Sequence, residues 1–250
     1  MAKGDDYLAY DWNIEGQRAR FLVNMAVEPH APDPSLPILL YVNCASGDSE
    51  QGLLKASELH RIDRITDKIA KKLKLLFVGS IELPEQKQLY YYAPDTESLD
   101  RLEAYVSRKR GLFLAADLAK EPKWTTYWNL LYPDAAKYQT ILNREIAARL
   151  EKNGDYNVAA RRVNFMVYFP TEQLRINFSE EARLGGFAVG LPRFRPEREC
   201  AYGVALHKIT ALLPEQIDEA TTKIIRMAAR YEGEMEGWDC QPISRNNPFR

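Results

Sequence analysis

Twice along this chain, short runs of Val, Leu, Phe and Tyr alternate with charged segments of helical period, and this order constrains the fold more than any motif. In the first pass, Arg18 to Val27 and Pro37 to Ser46 read as strands separated by the proline-rich PHAPDPSLP. Ile62, Ile65, Ile69 and Leu73 then recur at helical spacing through ELHRIDRITDKIAKKLK. LLFVGSIEL and QLYYYAP suggest a hairpin around Pro84, Glu85 and Gln86. TESLDRLEAYVSRK places Leu99, Leu102 and Val106 on one stripe behind Thr96 as the expected N-cap, and GLFLAADL closes the pass as a strand.

The second pass repeats the order. RVNFMVYF is a strand, TEQLRINFSEEARLGG a helix stopped by Gly185 and Gly186, and FAVGLPRF and YGVALHKITAL two strands. PEQIDEATTKIIRMAARY follows as a helix with Pro214 in its first turn, and a last strand lies in GWDCQPI. Strand, helix, strand, strand, helix, strand is the order of a ferredoxin-like sandwich. The expected class is therefore α+β: two ferredoxin-like α/β sandwiches in tandem, covering residues 1–135 and 136–250.

Between the passes lie WTTYWNLLYPD and AAKYQTILNREIAARLEKNG. The second piece reads as a linker helix carrying Tyr138, Ile141, Leu142 and Leu150 on one side and ending near Gly154. The first sets Trp124, Tyr127, Trp128 and Tyr132 within nine positions. Large aromatics contribute most when buried, so the expectation is an aromatic seam joining the two sandwiches, with Trp128 a core residue. The competing reading is an enzyme or small-ligand binder whose site lies in the inter-domain cleft beside these rings.

With 250 residues, 46% of them hydrophobic, the chain is long enough to bury a core without staples. Its 34 bases and 35 acids leave a net charge of -1; split at Pro122, the halves carry 16 bases with 19 acids and 18 bases with 16 acids. Neither sum builds general attraction to nucleic acid or anionic membranes. No window approaches a membrane span. Three scattered cysteines, Cys44, Cys200 and Cys240, do not form a disulfide framework. A cytoplasmic protein is expected.

Chemistry is thinly signalled. His30, His60 and His207 form no HxxxH or HExxH pair, and the chain holds no GxSxG, GxxxxGK[ST] or GxGxxG. No catalytic residue, metal ligand or cofactor is therefore assigned. Strand alternation puts Trp238 and Cys240 on one face and Asp239 and Gln241 on the other, and Asp239 disfavours a thiolate at Cys240. Tyr90 to Tyr92 and the aromatics of RVNFMVYF lack the RNA-binding octamer's pattern and read as core.

The remaining candidate is the end of the chain. Trp238, held by Gly237 and flanked by Glu236 and Asp239, has the contact area and the single donor of an interface anchor. The structural alternative is that Trp238 fills the end of the core and Gly237 opens its strand. Glu232, Glu234 and Glu236 precede it in a run that reads as a solvated turn or as a contact for a basic partner. The basic KKLK before Leu75 reads as a solvated helix face.

LEKNGDY, RRVNFMVYFP, EARLGGFAV and YEGEMEGWDCQPI resemble the bacterial family of regulator of ribonuclease E activity B, over roughly residues 140 to 245. The half containing WTTYWNLLYPD resembles domain-of-unknown-function family 695. The first resemblance implies a ferredoxin-like fold and a non-catalytic role, in which a protein partner, a ribonuclease, is regulated by direct contact. The family tends to place an acid and a His after the Arg-x-Val of its first strand. Here Asn164 and Phe165 follow Arg162 and Val163, so a polar site built on that His is not expected. The partner-binding candidates are Trp238, Asp239, Glu234 and Glu236; oligomeric state is left open.

Overall fold

A computed structural model describes residues 6–47 and 52–244. The chain divides into two compact units, Met1–Pro133 and Asp134–Arg250. It is α+β, with one antiparallel sheet of six strands and one of four.

The first unit contains β1 (Tyr7–Ile14), β2 (Gln17–Asn24), β3 (Ile38–Ser46), α1 (Ala56–Leu73), β4 (Leu76–Glu82), β5 (Gln86–Ala93), α2 (Glu97–Val106) and β6 (Leu112–Lys120). Its sheet runs in the order β1-β2-β4-β5-β3-β6. β2 ends sooner than the apolar run suggests, because Asn24 accepts from the Ala26 amide and Met25–His30 coils as a 3-10 turn. β1 was not expected; it is an edge strand of half-exposed residues and shows no clean two-residue alternation. α2 is opened by Asp95, whose carboxylate accepts from the Ser98 amide at 2.9 Å, while Thr96 makes no capping bond.

Ile62, Ile65 and Ile69 of α1 and Leu102 and Val106 of α2 meet Leu40, Val42, Leu89 and Tyr91 on one face of the sheet. The aromatic segment covers the other. Trp124 stacks on Tyr92 with centroids 4.0 Å apart and planes 3° from parallel, and its indole N–H donates to the Leu36 carbonyl. Tyr127 donates to the carbonyl of Asn24, and Tyr10 to that of Leu131. A Cβ at Gly79 would lie 2.5 Å from the Leu22 carbonyl and 3.2 Å from Leu131, so only glycine admits this approach. With both faces covered, Tyr90, Tyr91 and Tyr92 are all buried. The rings thus seal the first unit's own sheet, with Trp124 and Tyr127 at the centre and Trp128 and Tyr132 half-buried.

The second unit contains α3 (Ala135–Lys152), β7 (Arg161–Phe169), α4 (Glu172–Leu184), β8 (Ala188–Phe194), β9 (Tyr202–Thr210), α5 (Pro214–Ala229) and β10 (Glu234–Cys240), with sheet order β10-β7-β9-β8. Phe178 of α4 and Ile217 and Ile224 of α5 pack on Val163, Phe165, Val167 and Leu206. α3 packs on α5. Its buried face is not the expected apolar stripe: Tyr138 is half exposed, and Gln139, Thr140 and Asn143 point inward beside Ala136 and Ala147. β10 starts at Glu234, so Glu234 and Glu236 belong to a strand rather than to a turn. Gly237 sits within it, at a bulge with φ of 155°.

Candidate functional site

One face of the four-stranded sheet receives α4 and α5; alternation sends the remaining side chains to the opposite, outer face. Inward go Val163, Phe165, Val167 and Phe169 of β7 and Met235, Trp238 and Cys240 of β10, all packed in the core. Register then assigns Arg162, Asn164, Met166 and Tyr168 outward, with Glu234 opposite Tyr168, Asp239 opposite Asn164 and His207 opposite Asn164 on the other side. The four predicted residues therefore separate: Asp239, Glu234 and Glu236 edge the outer face, and Trp238 lies behind them.

Trp238 is half-buried, and its indole N–H donates to Asn143 at 2.7 Å. Asn143 is fully buried and uses its whole bonding capacity, accepting also from Gln139 and donating to Asp218 and Thr221. Burial pushes the Asp218 carboxyl above its ordinary range, against the opposing pull of Asn143 and Arg144. The network fixes β10 against α3.

Asp239 accepts from the Asn164 amide at 2.6 Å, and the Asn164 oxygen faces His207 Nδ1 at 2.8 Å. Because Asn164 donates to the carboxylate, its oxygen is the acceptor, which places the proton of neutral His207 on Nδ1. Burial, helped by Arg162, holds His207 below its usual value. Asp239, Asn164 and His207 thus form one polar row across β10, β7 and β9. The sequence gives no spacing signal for this, since 43 residues separate Asn164 from His207.

At the other end of the face, the β8–β9 loop folds back over Tyr168. The Arg195 and Arg198 guanidiniums lie 4.9 and 4.8 Å from the Tyr168 ring centroid, and both donate to the same Glu236 oxygen, at 2.9 and 2.7 Å. Sequence reading missed this pair, whose one signal is the charge density of RFRPERE between two strands.

Burial raises the thiols of Cys240 and Cys200, and that of Cys44 to about 12, which holds all three protonated at neutral pH. Among the described residues, no group of three or more His, Cys, Asp or Glu is placed to hold a metal ion. A depression of about 730 Å³ between α4 and α5 interleaves Glu181 and Glu219 with Lys223, Arg226 and Arg230 and gathers no convergent set. No described helix is long and apolar enough to cross a membrane.

Residues 5–132 match the family of unknown function DUF695, and residues 140–240 match the family described as Regulator of ribonuclease activity B. The two matches stand in the order expected from the sequence. No curated protein matches the chain. A crystal structure of an unknown protein from Galdieria sulphuraria is similar at 9% identity, covering 83% of this chain and 98% of that one, with a TM-score of 0.22.

Proposed function

The chain belongs to the family of unknown function DUF695, and from that premise, with the second unit matched to a ribonuclease regulator, we propose a non-catalytic regulator that modulates a ribonuclease by direct protein contact. The match over residues 140–240 is the observation that carries this reading. The second unit docks through the outer face of its sheet. Glu234 and Asp239 meet the partner, Glu236 lies at the contact on its pair of arginines, and Trp238 acts from behind by fixing β10 through Asn143. Such a surface, polar at its rim and built on a rigid sheet, suits recognition whose on-rate depends on charge.

The fold in this proposal is a tandem of ferredoxin-like sandwiches. Numbered from β7, the order β10-β7-β9-β8 becomes 4-1-3-2, and β6-β3-β5-β4 numbered from β3 gives the same order, with β1 and β2 added beside β4, which supports the assignment. A reducing, cytoplasmic setting is supported by the unpaired Cys44, Cys200 and Cys240.

The test uses the full chain and purified endoribonucleases of its own cell. Binding is read by biolayer interferometry without RNA, and activity by cleavage of a fluorogenic RNA. The expected result is RNA-independent binding to one enzyme and a dose-dependent change in its cleavage rate. No binding and no rate change across the set would overturn the reading.

A further inference from the structure

The β8–β9 loop is closed on itself by the Arg195 amide donating to Ala201 and the Arg198 amide donating to Arg195. It lays two guanidiniums on a buried tyrosine platform. Tyr168 is 2% exposed, its hydroxyl has no partner among the described residues, and its ring presses so closely on Gly203 that a Cβ there would stand 2.6 Å away. Above the ring, Arg195 and Arg198 share a single carboxylate oxygen of Glu236. Two forked cations on one acceptor atom leave donors and positive charge in excess at that point.

The bonds that hold this arrangement are exchangeable. The side chains of Arg195, Arg198 and Glu236 are 39%, 40% and 36% exposed, and ion pairs so open to water are weak. The surroundings decide what can replace Glu236. Glu197 and Glu199 lie in the same loop, and Glu234 and Asp239 lie on β10. A polyanion such as RNA needs a continuous basic track, and here Glu197, Glu199 and Glu234 are interspersed with Arg193, Arg195 and Arg198, with Asp239 further along β10. One carboxylate carried among cations matches both the arginine pair and the acidic rim.

We propose that Glu236 is an intramolecular stand-in for an acidic side chain of the partner protein. The docking segment presents one Asp or Glu to Arg195 and Arg198, within flanking Lys or Arg that meet Glu234 and Asp239. This rests on the reading that the second unit docks a protein, and it adds the partner's chemistry and a built-in competitor.

Three probes test it against the isotopically labelled full chain by NMR titration: the peptides Lys-Lys-Glu-Lys-Lys and Lys-Lys-Gln-Lys-Lys, and a ten-nucleotide oligouridine. The glutamate peptide is expected to bind more tightly than the glutamine peptide, with shifts centred on the loop. Glu236→Gln, which removes the competitor, should tighten the glutamate peptide by roughly 3- to 10-fold, as freeing a masked site does. Arg195→Gln with Arg198→Gln removes both guanidinium charges and should erase the preference.

Equal binding of the two peptides, weaker binding by Glu236→Gln, or tightest binding of the oligouridine would each overturn the proposal. The same variants against a bound ribonuclease separate the two readings. Unchanged ribonuclease affinity in both variants sinks the inference and leaves the regulator; peptide preferences without any ribonuclease binding sink the regulator alone.

Discussion

The indole N–H of Trp238 donates to the side-chain oxygen of Asn143 at 2.7 Å, joining β10 to α3 through a polar interior. Asn143 answers four groups at once: Trp238, Gln139, Asp218 and Thr221. Asn143→Ala takes one partner from each; Asp218 keeps Arg144 and Thr221 keeps the Ile217 carbonyl, while each group left unmet costs about 1–3 kcal/mol before relaxation. The variant should lose about 2–4 kcal/mol of the second unit's stability, since solvent reaches part of the gap. Urea unfolding followed by tryptophan fluorescence measures it; a loss below about 1 kcal/mol would show that α3 is held by its apolar contacts instead.

Asp218, the acid in that network, links it to pH. Its folded-state value is raised above the ordinary 3.8, first by burial, so the native state holds the proton more tightly than the unfolded chain. The stabilisation this provides is complete below the ordinary value and is lost as pH rises through the raised one. Asp218→Asn keeps an acceptor for Asn143 and removes the titration. Its stability relative to the parent should therefore increase from acid toward neutral pH, in paired urea unfolding curves. A difference that stays flat across that range would falsify the assignment.

How much of this was legible in the sequence follows from where each signal resides. Ile62, Ile65 and Ile69 announce α1 because their partners are apolar, and burial obeys periodicity. Periodicity misled on α3 for the converse reason: Tyr138 fits a stripe yet is half exposed, while Asn143, polar and unremarked, is fully buried because three of its four partners lie 75 to 95 residues away. Glu236 was legible as a charge near Trp238. Its arginine partners were not, because a loop's return over a sheet is set by tertiary packing and leaves no local pattern.

The aromatic segment gives a ranking of two tryptophans. Trp124 holds a left-handed φ of 54°, a conformation that costs a bulky residue about 1–3 kcal/mol. It tolerates this because its ring is fully buried on Tyr92 and its N–H is satisfied by Leu36. Trp124→Ala removes that packing and should cost about 3–5 kcal/mol despite some relief of strain. Half-buried Trp128, expected from sequence to be a core residue, should lose only about 1–2 kcal/mol as Trp128→Ala. Chemical denaturation of both variants checks the order, and equal losses would contradict it.

Gly203 reports on the outer face. A methyl group added there would stand 2.6 Å from Cε1 of Tyr168 and 2.9 Å from Cδ1, too close for any carbon pair, so the ring must move. It can only move outward, into Arg195 and Arg198, because the sheet backbone lies beneath it. Gly203→Ala should therefore cost about 1–3 kcal/mol through overpacking and loosen the β8–β9 loop. Pro196 shields the bond after Arg195 from trypsin, which leaves the Arg198–Glu199 bond as the site whose cleavage reports the loosening. Faster native-state cleavage there, read by mass spectrometry, is the expected result. Tyr168→Leu added to Gly203→Ala removes the collision, so the double variant should lose less stability than the two single losses combined. Strict additivity would mean that the ring and the glycine do not press on each other, and that the loop's position owes nothing to Tyr168.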